Sequence, residues 1–256
     1  FFIFYLTDKF MGQFETEGII LKTYSLAEAD KIVLILTEKN GLVRGVAKGA
    51  KRLKSKFGGI LEPFSVVTAD LFQKEERELV SIRNLELRKS IFARASDPLI
   101  LQKLAYMSEL LIEFSPPHDP NERVYKMAKI CLETIEERPE MIDLMVLYFE
   151  FWLLSLGGYL PNWENCSECK TAFHPAESAN LLLNFQLICN RCRKSQTNQM
   201  VGSDLRQIFI NARSSSPGRF IENFGAMVGP VNELSGILKR IINQILNREI
   251  VSQKFM

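Results

Sequence analysis

The spacing of apolar positions changes once along this chain, near residue 97. Before that point apolar residues come in short β-branched runs. Gly18-Ile19-Ile20-Leu21-Lys22-Thr23 is the first, and Lys31-Ile32-Val33-Leu34-Ile35-Leu36-Thr37 the second. Asn40-Gly41 then marks a tight turn ahead of Leu42-Val43-Arg44-Gly45-Val46-Ala47, a hairpin signal because both residues tolerate positive φ. Phe64 to Phe72 follows, and Leu79 to Arg83 comes after the charged turn Lys74–Glu78. Five short strands in one sheet leave edges exposed, and a small antiparallel barrel hides them. The pattern therefore predicts a five-stranded OB-fold β-barrel over residues 15–92.

From residue 97 the period becomes helical. Asp97-Pro98 is a start signal, with proline at the first helical position. Leu101, Leu104, Ala105, Ser108, Leu111 and Ile112 recur at three- and four-residue steps until Pro116-Pro117 stops the helix. A second helix is predicted from about 121 to 137 and a third from about 140 to 156. The third is apolar nearly all round, from Leu144 through Leu154, which predicts burial in a helical core. The chain ends on a last helix, opened by Gly229-Pro230 and striped by Leu234, Ile237, Leu238, Ile241, Ile242, Ile245 and Leu246. That stripe is too short for a sustained coiled coil and is expected to pack within the chain. The whole reads as an α+β protein of two domains, a barrel at 15–92 and a helical domain at 93–256 interrupted by an irregular segment at about 161–197. Residues 1–14 stand apart. Their apolar run, Phe1 to Leu6, has neither the flank nor the length of a signal peptide. Met11-Gly12 is the expected natural start; a packing or membrane-touching role for the run is the alternative.

The irregular segment holds the most specific signal. Cys166-Ser-Glu-Cys169 and Cys189-Asn-Arg-Cys192 form two C-x2-C pairs with nineteen residues between them. Two such knuckles supply four thiolates at tetrahedral spacing, the pattern of a closed structural zinc site. Disulfides need an oxidising compartment, and a redox pair needs only one C-x-x-C. His174 lies between the pairs and reads as a bystander, and Cys131, on a helical apolar stripe, as an ordinary buried thiol.

Composition narrows the function. With 46% hydrophobic and 24% charged residues over 256 positions, this is a globular chain. Its uncharged stretch from Phe151 to Trp163 contains Gly157, Gly158 and Pro161 and falls short of the roughly 20 residues a bilayer requires. A cytoplasmic location is expected. A net charge of +2 does not mark a polyanion binder; only the distribution of charge can. That distribution is uneven. Arg44, Lys48, Lys51, Arg52, Lys54 and Lys56 fall within thirteen residues that hold no acid. Like charges so crowded are best accommodated beside a polyanion, and a mobile basic arm next to an OB-fold face suits nucleic acid. Lys22 and Lys31 are weaker candidates on the barrel. Phe57 and Phe64 flank the arm, as core residues or as bases' stacking partners. The Gly45–Lys51 glycine spacing does not make a phosphate-binding loop. No H-E-x-x-H, G-x-S-x-G or kinase set is present, and no enzyme activity is expected.

Barrel, basic arm, helical body and cysteine ribbon, in that order, resemble the bacterial RecO family of DNA repair proteins. The stretches carrying the resemblance are Thr16-Glu17-Gly18-Ile19-Ile20-Leu21-Lys22-Thr23, Glu28-Ala29-Asp30-Lys31-Ile32-Val33, Val46-Ala47-Lys48-Gly49-Ala50-Lys51-Arg52, Phe57-Gly58-Gly59-Ile60-Leu61-Glu62-Pro63-Phe64 and Leu156-Gly157-Gly158-Tyr159-Leu160-Pro161. The resemblance implies a nucleoid-associated recombination mediator. Such a protein binds single- and double-stranded DNA and anneals strands coated by single-strand-binding protein. With RecR it helps load RecA. Zinc would be structural. Two rivals follow from the residues alone: a zinc-ribbon RNA-binding or transcription-associated protein, and a zinc-dependent enzyme acting on nucleic acid.

Overall fold

A computed structural model describes residues 12–74, 77–91, 97–193 and 199–252. The chain divides into two compact units, Phe1–Ser96 with Leu111–Tyr125, and Asp97–Leu110 with Lys126–Met256. The apolar run Phe1 to Leu6, the junction at 92–96 and the end of the cysteine segment at 194–198 lie outside the described residues.

Strands β1 (Gly12–Leu26), β2 (Asp30–Thr37), β3 (Gly41–Ala47), β4 (Ser65–Gln73) and β5 (Val80–Ser90) form the first unit. They pair in the order β1-β2-β3-β5-β4, and β4 closes the ring on β1. Every pairing is antiparallel except β3 with β5. This is the OB-fold barrel expected from the alternation, although β1 begins ahead of residue 15 and β5 runs well past Arg83. The extra length of β1 has a cause. Gly12–Ile19 pairs with β4 while Gly18–Leu26 pairs with β2, so one strand must bend to serve two neighbours. Gly18 sits where the two pairings overlap, and a Cβ there would come within 2.5 Å of Ile35 Cγ2. A bulge at Leu21 then shifts the register, which adds the twist a small barrel needs.

Ile20, Val33, Ile35, Val43, Val67, Ala69, Leu71 and Ile82 fill the barrel, joined by Phe57 and Leu61 from the β3–β4 connection. The Asn40-Gly41 turn is locked by Thr37, whose hydroxyl donates to the Gly41 carbonyl at 2.7 Å and accepts the Asn40 N–H at 3.0 Å. The His118 N–H donates to the Leu42 carbonyl at 3.2 Å, laying the 111–125 segment along the start of β3.

The helical unit is built on α1 (Pro98–Phe114), α2 (Glu122–Glu137), α3 (Ile142–Leu156), α4 (Ser203–Ala212), α5 (Pro217–Phe224) and α6 (Val228–Leu246). As its all-round apolar sequence requires, α3 is buried, and it packs against α4, α5 and α6. Cys131 is a buried thiol of α2. The short helices α4 and α5 were not expected from the sequence. Strands β6 (Ala179–Leu181), β7 (Leu187–Ile188) and β8 (Gln199–Val201) form a small sheet in the order β7-β6-β8. Among the described residues no helix is long and apolar enough to cross a membrane.

Candidate metal centre and nucleic-acid interface

The two cysteine pairs converge on one point. All four sulfurs of Cys166, Cys169, Cys189 and Cys192 lie within 4.8 Å of one another, and Cys169 Sγ stands 3.9 Å from Cys189 Sγ. Local backbone explains the first knuckle. Lys170 adopts a positive φ of 61°, its N–H returns to the Cys166 carbonyl at 2.9 Å, and the Cys166 N–H donates to the Thr171 carbonyl at 2.9 Å. The second pair closes through the Cys192 N–H to the Cys189 carbonyl at 3.1 Å. The Ser167 N–H donates to the Leu187 carbonyl at 2.8 Å, which ties one knuckle to the strand leading into the other.

The donor set fits a soft tetrahedral cation. Burial pushes the Cys166 thiol upward, but backbone N–H groups of Cys189, Cys169 and Glu168 outweigh it and hold it below its ordinary value. The Thr171 hydroxyl and N–H bring Cys169 down to about 6. Four sulfurs this close cannot all ionise unaided, and Cys189 and Cys169 beside it push Cys192 up to about 12. A divalent cation removes that conflict. His174 is not among the clustered residues; its Nδ1 takes the Ala176 N–H at 3.4 Å. The ribbon is held from α4, a support the sequence reading missed. Arg206, almost wholly buried, donates to the carbonyls of His174 at 3.1 Å and Glu177 at 2.6 Å and lies over the Phe173 ring. Trp163 stacks on Phe209 with centroids 4.3 Å apart.

The basic segment follows β3. It is not a loose arm but a string of turns fastened at both ends. The Gly49 N–H donates to Asp30 Oδ1 at 2.8 Å, the Lys51 N–H to the Ala29 carbonyl at 2.9 Å, and Lys51 Nζ to the Ala27 carbonyl at 2.8 Å. Lys56 Nζ bonds the Arg83 carbonyl. Phe57 and Phe64 are buried, 1% and 3% exposed, so neither offers a face to a base. Arg44, Lys48, Lys51, Arg52, Lys54 and Lys56 are all exposed. Among the described residues no carboxylate pairs with Arg44, Lys48, Arg52 or Lys54.

Register brings the barrel candidates alongside. Lys22 pairs with Leu34, and Leu34 with Arg44, so Lys22 and Arg44 flank one row across β1, β2 and β3. The next row on that face is Tyr24, Ile32 and Val46. Tyr24 is 44% exposed, with Lys22 Nζ 5.1 Å from its ring centre. It is the accessible aromatic that Phe57 and Phe64 are not. Lys31 is half-buried opposite Ala47, at the end of the inward-facing series. The basic turns and the Lys22–Tyr24–Arg44 face thus meet at one end of the barrel.

A closed OB-type barrel with a cationic rim, followed by a helical unit carrying four clustered cysteines, defines a two-part member of the OB-fold class with a site that could hold a metal. The chain belongs to the Recombination protein O family: the description Recombination protein O N terminal matches residues 11–91, and Recombination protein O C terminal matches residues 96–254. Relatives named DNA repair protein RecO include that of Koribacter versatilis, 27% identical over 92% of this chain and 93% of the relative. That of Clostridium perfringens is 30% identical over 83% of this chain and 81% of the relative. That of Streptomyces griseus is 34% identical over 62% of this chain and 66% of the relative.

Proposed function

We propose that this protein is a non-enzymatic DNA repair and recombination mediator of the bacterial cytoplasm. In this reading it binds single- and double-stranded DNA and anneals complementary strands coated by single-strand-binding protein. With RecR it helps load RecA. The observation that carries the reading is the anchored basic string Arg44–Lys56, whose exposed cations adjoin the exposed Lys22 and Tyr24 of the barrel. Family membership, and relatives named for DNA repair, support it.

The work such a surface does is electrostatic. Two strands repel through their phosphates, and each cation that neutralises a phosphate releases a counterion. Arg44, Lys48, Lys51, Arg52, Lys54 and Lys56 supply that neutralisation, with Lys22 and Lys31 at the margin. Tyr24 offers one face for a base. Zinc held by Cys166, Cys169, Cys189 and Cys192 has a structural role, because a closed four-thiolate shell leaves no position for water.

Charge reversal at Lys51 and Arg52 tests the interface. Affinity for DNA is expected to fall across all sequences, and the slope of log K against log salt to flatten by about one per residue, roughly two in all. Unchanged affinity at low salt would move the DNA site off this segment.

A further inference from the structure

Leu53 sits in the middle of the basic string and is 107% exposed, more than any other large apolar side chain among the described residues, whose values run from 44% to 71%. Single exposed leucines are ordinary on protein surfaces. This one is unusual in its setting. Its sequence neighbours are Lys51, Arg52 and Lys54, all exposed. The backbone on either side is fixed: the Arg52 N–H donates to the Gly49 carbonyl at 3.1 Å and the Ser55 N–H to the Arg52 carbonyl at 2.9 Å. The turns holding those residues are anchored to the β1–β2 turn on one side and through buried Phe57 on the other. An apolar tip is therefore held outward between exposed cations on a fixed backbone, which lowers the entropy cost of ordering it on binding.

We infer that Leu53 is a wedge that enters between bases when the surrounding cations grip the backbone. The inference rests on the DNA-binding reading and adds to it a separate act, local unstacking. Apolar side chains inserted at a base step are a recurrent way of opening or kinking a strand, and cations close by draw the phosphates over them. A protein or membrane partner would seek a broader apolar patch, and here a single apolar side chain stands between exposed cations in sequence. For pairing of strands, the wedge would break the stacking of a bound strand and leave its bases free to meet a complement.

The test uses the full-length protein and oligonucleotides carrying one 2-aminopurine, whose fluorescence rises when its neighbours unstack. The wild-type protein is expected to raise the signal severalfold on binding. Leu53→Ala should abolish the rise yet change affinity by less than about threefold, because unstacking a step costs about what burying a leucine returns. Leu53→Phe, which keeps an apolar tip, should restore it. A signal rise that survives in Leu53→Ala overturns the wedge. So does wild-type binding with no rise. Failure of the wild-type protein to bind DNA at low salt would instead overturn the DNA-binding reading itself.

Discussion

Glu150 shows how far one side chain departs from what its position in the chain suggests. It lies in the apolar helix α3 and is fully buried. Its Oε1 accepts the Tyr106 hydroxyl at 2.8 Å and its Oε2 the Ser235 hydroxyl at 2.8 Å, which joins α3 to α1 and α6. Burial pushes its carboxyl up to about 7; Lys239, Tyr106, Ser235 and Lys103 pull the other way without prevailing. Folding therefore favours the neutral acid. The stabilisation is complete below the ordinary value of 4.5 and is lost as pH climbs through about 7, a loss on the order of 3 kcal/mol. Glu150→Gln keeps the shape and stays neutral. The melting temperature of the wild-type protein should fall between those two pH values, and that of the glutamine variant should stay more nearly level. Parallel curves would mean that Lys239 and Lys103 fully compensate the charge.

At the scale of elements, the ribbon makes the sharpest claim. Metal binding at a site of this kind is folding energy. Cys166→Ser is expected to release the metal and lower the melting temperature of the helical unit, a cost of several kcal/mol for a lost thiolate at a buried position. One zinc per chain and an unchanged melting temperature in that variant would contradict the four-thiolate site.

The elements were unequally legible in the sequence. The five strands, α1 to α3 and α6 each carry a run long enough for its period to stand out, and the cysteine spacing alone pointed to the four thiols that cluster. Helices α4 and α5 do hold a helical pattern, Leu205, Ile208, Phe209 and Ala212 in one and Phe220, Ile221 and Phe224 in the other. At ten and eight residues they offer little more than two turns each, bracketed by serines and glycines that read as loop. The arm's charges were legible and its rigidity was not, because rigidity depends on bonds to Ala27, Ala29 and Asp30 from another hairpin. Tyr24 was missed for a related reason. The bulge at Leu21 flips the alternation of β1, so the residue's place beside Arg44 follows only from the observed register.

For the whole molecule, a net charge of +2 conceals six exposed cations clustered between Arg44 and Lys56. The long-range field of the protein is weak, so selectivity for a polyanion must come from the local cluster and should vanish quickly with salt. That would suit the proposed mediator, which would have to hold two strands briefly and then let the duplex go. Annealing breaks and forms no covalent bond. It asks for proximity, neutralised phosphates and accessible bases, and under the proposed function the cationic rim, Tyr24 and Leu53 would supply them.

The most direct measurement mixes two complementary labelled DNA strands, each coated with single-strand-binding protein, and follows their pairing with and without this protein at low and at moderate salt. Pairing is expected to accelerate at low salt and to slow steeply as salt rises. No acceleration by folded, zinc-loaded protein at either salt concentration would contradict it.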